Sequence, residues 1–174
     1  SLGVHPFKYV INKVAVNSRF SDFGPSYYKD KIVFASSTKD RENFRTHNWN
    51  NLPYLDLFVA DVDSVGGLSN ATPLKSNINT EYHESSSTFT KDGKTMYFTR
   101  NNYNEGKKGY DKERTIRLKL YKATYNNDDN SWGNVKELPF NSPEYSVAHP
   151  TLSKDEKKLY FASDMEGTFG RSDL

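Results

Sequence analysis

The sequence predicts an all-β chain made of about three consecutive four-stranded antiparallel sheets, the last one cut short. Two observations carry this. Three windows of the chain align on one another, opening at Phe20, Tyr82 and Tyr145, so that the leading aromatics stand 62 and 63 residues apart. The aromatic content is 12 Tyr and 11 Phe against only two Met, residue types that fit a pleated, half-buried surface rather than a helical stripe. With 34% hydrophobic residues in 174, the chain is long enough to bury a sizeable core, which argues against disorder.

Each window opens with a short strand: Pro25 to Tyr28, Ser87 to Thr90 and Pro150 to Ser153. A Lys-Asp turn follows in all three, and then a second strand whose apolar residues are consecutive: Ile32-Val33-Phe34, Met96-Tyr97-Phe98 and Leu159-Tyr160-Phe161. The pair is a hairpin. Its most explicit turn is Asp92-Gly93, because glycine accepts the positive φ that tight turns require; Asp30-Lys31 and Asp155-Glu156 lack glycine and are expected to turn differently. Consecutive apolar positions predict second strands covered on both faces.

A third strand is expected at Asp56 to Ala60 and at Lys119 to Ala123, with Leu57 and Leu120 again 63 residues apart. Its third copy only begins, at Ser172-Asp173-Leu174, so a longer parent chain is expected. A fourth strand fits Ala71 to Lys75 and Val135 to Pro139, and Val10 to Val16 occupies the same place before the first window. Four strands per repeat make one blade of a β-propeller, and small sheets that are apolar on both faces must stack to bury them. The expectation is one propeller segment over residues 1–174, with blades beginning near Phe20, Tyr82 and Tyr145. Residues 1–19 would supply a strand of a preceding or closing blade.

The segments Asn17-Ser18-Arg19-Phe20-Ser21-Asp22-Phe23-Gly24-Pro25, Lys29 to Ser36, Ser85 to Phe98 and Leu159 to Asp164 carry a family resemblance. They are similar to WD40-like repeats (PD40, TolB-type) in OmpA-family cell-envelope proteins of gliding and type IX-secreting bacteria. The resemblance implies a periplasmic propeller associated with the outer membrane, a rigid scaffold for proteins of an outer-membrane or secretion assembly. It also implies peptidoglycan anchoring, but only through a domain absent from these residues. The departure from the commonest repeat is two insertions between second and third strands, Ser37 to Leu55 and Arg100 to Ile116.

The rest of the sequence narrows function mostly by exclusion. Net charge is +2 with both signs interspersed, so no electrostatic footprint for nucleic acid is visible. The densest basic stretch, Lys107, Lys108, Lys112, Arg114, Arg117 and Lys119, reads as a solvated loop neutralised by Glu105, Asp111 and Glu113. The absence of cysteine removes disulfides and thiolate chemistry. No apolar run approaches the roughly 20 residues of a membrane helix. There is no nucleophile elbow, phosphate-binding glycine loop or zinc-binding His-Glu-x-x-His. No cofactor, metal or catalytic residue is therefore expected, and the leading reading is non-enzymatic. The alternatives are the propeller of a peptidase or glycan-processing enzyme, and a carbohydrate-binding module using Trp49 or Trp132.

Candidate binding residues lie first in the insertions, because recognition concentrates on loops held by a rigid scaffold. Phe44, His47, Trp49 and Tyr54 crowd the first insertion, and Tyr103 and Tyr110 stand among charges in the second. Such aromatics suit partner docking, or equally a plug over a blade edge. A second group, Asp22, His83, Glu84 and His149, precedes or opens the first strands, where a propeller gathers equivalent residues at its channel mouth. Lastly, Asp63-Ser64-Val65 matches the O-glycosylation pattern of the resembled bacteria, with Ser64 as acceptor, and equally reads as a turn before Gly66-Gly67. Asn70-Ala71-Thr72 is an N-glycosylation sequon.

Overall fold

A computed structural model describes residues 16, 22–37, 55–76, 78, 84–104 and 107–167, and among them there are strands and turns but no helix. Hence no helix of the described residues is long and apolar enough to cross a membrane. Strands β1 (Asp22–Tyr28), β2 (Lys31–Ser36), β3 (Asp56–Val62) and β4 (Leu68–Pro73) form one antiparallel sheet in sequential order. The second sheet has the order β5 (Glu84–Phe89), β6 (Thr95–Asn101), β9 (Leu118–Asn126), β10 (Ser131–Glu137). Within its insertion sits a small hairpin, β7 (Tyr103–Asn104) and β8 (Lys107–Lys108). The third repeat contributes the hairpin β11 (Val147–Leu152) and β12 (Leu159–Ser163). The predicted third strand of that repeat, at Ser172 to Leu174, and the predicted strand at Val10 to Val16 lie outside the described residues, except for Val16.

The first strands begin three residues earlier than the sequence suggests, because each carries a β-bulge that hides its alternation. Register breaks between Phe23 and Ser26, between Ser85 and Ser87, and between Ala148 and Thr151. At each break one residue takes a left-handed backbone: Gly24 (φ 63°), Ser86 (φ 26°) and His149 (φ 57°). The outer strands also start before the predicted Ala71 and Val135, and they bulge at equivalent asparagines, Asn70 (φ 53°) and Asn134 (φ 50°). Asparagine tolerates this conformation better than other non-glycine residues, and a bulged outer edge resists pairing with a stray strand.

The turn expectation needs correction in the third repeat. Glu156 (φ 59°) adopts the conformation of Gly93 (φ 67°), and both amides donate to the carbonyl three residues back, Glu156 to Ser153 at 2.8 Å and Gly93 to Thr90 at 2.9 Å. A side-chain clasp fixes each turn: the hydroxyl of Thr90 donates to Asp92, and that of Ser153 to Asp155, both at 2.6 Å. Hydrogen bonding thus holds a glutamate where glycine would be unstrained. Only the first repeat turns differently, through Lys29-Asp30 (φ 55° at Lys29) between the paired Tyr28 and Lys31.

The main core lies between the two complete sheets. Val33, Ala35 and Leu57 of the first meet Met96, Phe98, Tyr121 and Ala123 of the second, with Leu74 and Ile78 of the connection closing one side. Trp132, 2% exposed, is set edge-on to Tyr28, Phe89 and Tyr125 with ring centroids 5.6, 5.5 and 5.4 Å away. It is a packing residue. Phe34, Phe58 and Ala60 are buried on the opposite face of the first sheet, against Val16, Ile32 and Leu68. The first sheet is therefore apolar on both faces. Beyond the second sheet, Val147 and Ala148 of β11 are buried and Phe140 stacks on Phe161 at 4.6 Å. The first strands lie side by side, β1 against β5 and β5 against β11.

Candidate functional site

Where the first strands meet, their bulges line up. Gly24, Ser86 and His149 hold the same place in successive repeats, and each touches the next. A Cβ on Gly24 would stand 3.1 to 3.3 Å from the Oγ, Cα and N atoms of Ser86, so the left-handed turn and the close approach both call for glycine. The Oγ atom of Ser86 is in turn 2.8 Å from Nδ1 of His149. Beside this line the hydroxyls of Ser26 and Ser87 bond at 3.1 Å, and the amide of His149 donates to Thr99 Oγ1 at 3.0 Å.

Residues 24–26, 86–88 and 149–151 line a groove of about 380 Å³ at this junction. Its walls are small hydroxyls, proline rings and the His149 imidazole. Ser86 and Ser87 are buried, whereas His149 is exposed. Among the described residues no carboxylate belongs to this lining. The described lining therefore offers hydroxyl hydrogen bonding and one imidazole, and among the described residues it does not present the facing acid pair that glycoside hydrolysis uses. Gly24, Ser86 and Ser87 escaped sequence reasoning; the only signal for them was their shared position in the repeat.

Two other residues proposed for the channel mouth open the adjacent first strands β1 and β5. Asp22, at the start of β1, accepts a hydrogen bond from the Ser36 hydroxyl at 2.5 Å. Glu84 occupies the equivalent start of β5, paired in register with Arg100, and is completely buried. His83 lies outside the described residues, as do Phe44, His47, Trp49 and Tyr54 of the first insertion.

The second insertion is described almost completely, and it is tightly organised. At its base the amide of Asn102 donates to the Arg117 carbonyl, and that of Gly109 to the Asn102 carbonyl, both at 2.8 Å. The Arg100 guanidinium lies 4.4 Å from the Tyr121 ring centroid and donates to the Tyr103 carbonyl at 2.7 Å. Tyr103 is half-buried there, while Tyr110 is 51% exposed.

Asp111 pins the tip of this loop. Its carboxylate accepts from the amides of Thr115 at 2.7 Å and Glu113 at 2.9 Å, and from Arg117 Nε at 2.6 Å. The Thr115 amide above all, then Arg117, hold its pKa below the usual carboxylate range although burial works the other way. The same contact raises Arg117. Asp111 does neutralise one cation of the basic stretch, Arg117, but it does so from a buried position rather than as a solvated surface acid. Lys107, Lys108, Lys112 and Arg114 are exposed, as is Tyr110 in the same loop, and Lys119 is buried in the sheet with its amine donating to the Tyr145 carbonyl. Burial lowers the Lys119 pKa.

Ser64 is exposed in the β3–β4 turn, where Asp63 accepts from the amides of Val65 at 2.9 Å and Gly67 at 2.7 Å. The Asp63-Ser64-Val65 pattern therefore sits in a turn that its own aspartate shapes. Asn70 is exposed in β4, its side-chain amide donating to Asp61 at 3.0 Å. Among the described residues no cluster of three or more metal-ligating side chains occurs. Comparison with protein-family models, with curated proteins and with solved structures returns no match.

Proposed function

We propose that the chain is a run of about three β-propeller blades acting as a non-enzymatic protein-interaction scaffold, in the periplasm beside the outer membrane. The observation that supports it is the line Gly24, Ser86, His149: repeat-equivalent residues of successive first strands in contact, as blades would place them around an axis. An apolar core between sheets and a second apolar face on the first sheet suit stacking of further repeats. The motif resemblance to PD40-type repeats of OmpA-family proteins supports the envelope setting. A rigid platform carrying one well-ordered inserted loop suits recognition more than chemistry.

Affinity isolation of the full-length protein from gently solubilised envelopes tests this. Stoichiometric outer-membrane or secretion-machine proteins are expected beside it. If the protein came out alone and its full sequence held a hydrolase domain, the scaffold reading would be abandoned.

One observation favours an enzyme, the 2.8 Å pair of Ser86 Oγ and His149 Nδ1. A serine nucleophile needs its histidine oriented by a third group, and among the described residues the groove lining supplies no carboxylate for that. Covalent labelling of Ser86 by a fluorophosphonate at neutral pH would revive the enzyme reading; an unlabelled protein supports the scaffold.

A further inference from the structure

We propose that the tip of the second insertion is a preformed docking surface for an acidic segment of a partner protein. The inference rests on the scaffold reading and gives its partner a chemistry. It begins with the fate of Asp111. Residues 107–117 hold more cations than acids, and Asp111 is turned inward and bound to Arg117 and two amides, which takes one charge of each sign out of the surface balance. What remains exposed in residues 107–115 includes Lys107, Lys108, Lys112 and Arg114, in the same short loop as the half-exposed Tyr110, with Glu113 the lone exposed acid of that stretch.

The second observation is rigidity. The β7–β8 hairpin, the amide contacts at Asn102, Gly109 and Arg114, and the Asp111 clasp fix the loop backbone before any partner arrives. Arg117 also reaches Asp164 at 3.9 Å, which ties the loop to the end of β12. A loop ordered in advance loses less entropy on binding. Cations alone would serve a membrane surface without defined geometry. Cations carried on a preset backbone in the same loop as an exposed tyrosine instead match the aromatic- and cation-rich make-up of protein interfaces. Carboxylates spaced along a peptide are their complement.

The test measures anisotropy of a fluorescein-labelled 12-residue peptide of alternating Asp, Glu, Gly and Leu, and of its Asn/Gln counterpart, with vesicles containing 30% phosphatidylglycerol as the competing surface. The acidic peptide should bind at least tenfold tighter than the amide one. The charge reversal Lys107→Glu/Lys112→Glu/Arg114→Glu should weaken it by about tenfold or more. Asp111→Asn makes the loop more positive while undoing its clasp, so the proposal expects weaker binding, by about three- to tenfold. Equal or tighter binding by Asp111→Asn would reduce the effect to bulk charge and overturn it, as would preference for the vesicles or indifference to charge reversal. Tyr110→Ala, a surface change that leaves the clasp intact, should also weaken binding and guards against loop unfolding. Carried into the full-length isolation, the triple charge reversal separates the two ideas. Partners retained by that variant would refute the docking surface and leave the scaffold standing; partners lost would support both.

Discussion

Replacing Gly24 by alanine probes the junction on which the architecture depends, and Gly66 provides its control. Both glycines have left-handed φ, 63° and 83°, but a Cβ at Gly66 would meet nothing within 4 Å. A left-handed L-residue costs about 1–2 kcal/mol, and the stiffer unfolded chain offsets about 0.4–1 kcal/mol of it. Gly66→Ala should therefore destabilise by about 1 kcal/mol or less. At Gly24 the methyl must also displace Ser86, whose Cα and backbone nitrogen would be 3.2 and 3.3 Å away. Backbone cannot swing aside as a lysine tip can, and overpacking of this kind adds about 1–3 kcal/mol. Gly24→Ala should thus cost about 2–4 kcal/mol, a fall in Tm of roughly 4–16 °C for a chain of this size. Urea and thermal unfolding followed by circular dichroism measure both variants. Equal losses at the two glycines would mean that the β1 bulge does not abut β5.

Trp132→Ala empties the centre of the aromatic cluster between the sheets and should destabilise by about 3–5 kcal/mol, with loss of near-ultraviolet dichroism. The acid limb of stability should depend on Asp92 and Asp155, held below their ordinary pKa by the Thr90 and Ser153 hydroxyls. Their stabilisation is complete above about pH 5 and is lost as pH falls through the lowered folded values. Asp92→Asn/Asp155→Asn should flatten that loss in acid unfolding curves; an unchanged slope would dismiss the clasps as contributors. Lys119 has the opposite sign, since its folded pKa is lowered by burial and the unfolded chain binds the extra proton. It should make stability rise as pH climbs from that lowered value toward 10.5, and Lys119→Met should remove this rise in urea titrations.

The hairpins and the sheet order were legible because their signals are chemical and repeated: a Lys-Asp turn, then consecutive apolar residues. The continuous pairing of β2 with β3 and of β6 with β9 follows from those runs. The bulges were not legible, since Gly24, Ser86 and His149 share a position and a φ sign but no chemistry. Nothing in the Asp155-Glu156 pair announces a left-handed glutamate; the turn is imposed by the Ser153 and Asp155 clasp and by the strands it joins. The site was legible only in part. His149 was named for its place in the repeat, but its partner Ser86 looked like one serine in a run. Asp111 was read as one of the loop's counter-ions, and it does pair with Arg117, but net charge along a sequence cannot say that its carboxylate faces inward. The spacing of Asp111 to Glu113 and Thr115, the same as Asp63 to Val65 and Gly67, is the local signature of an aspartate that folds its own loop.

The packing of successive first strands is tested most directly by a disulfide across it. The chain has no cysteine, and the Ser26 and Ser87 hydroxyls are 3.1 Å apart, so Ser26→Cys with Ser87→Cys creates a single possible bridge. Mild oxidation should close it quantitatively within one chain, seen as faster migration on a denaturing, non-reducing gel. The control Tyr27→Cys with Ser87→Cys, whose first site is 78% exposed, should stay reduced. Free thiols or only intermolecular dimers from the Ser26/Ser87 pair would contradict side-by-side first strands, and with them the proposed stacking of blades.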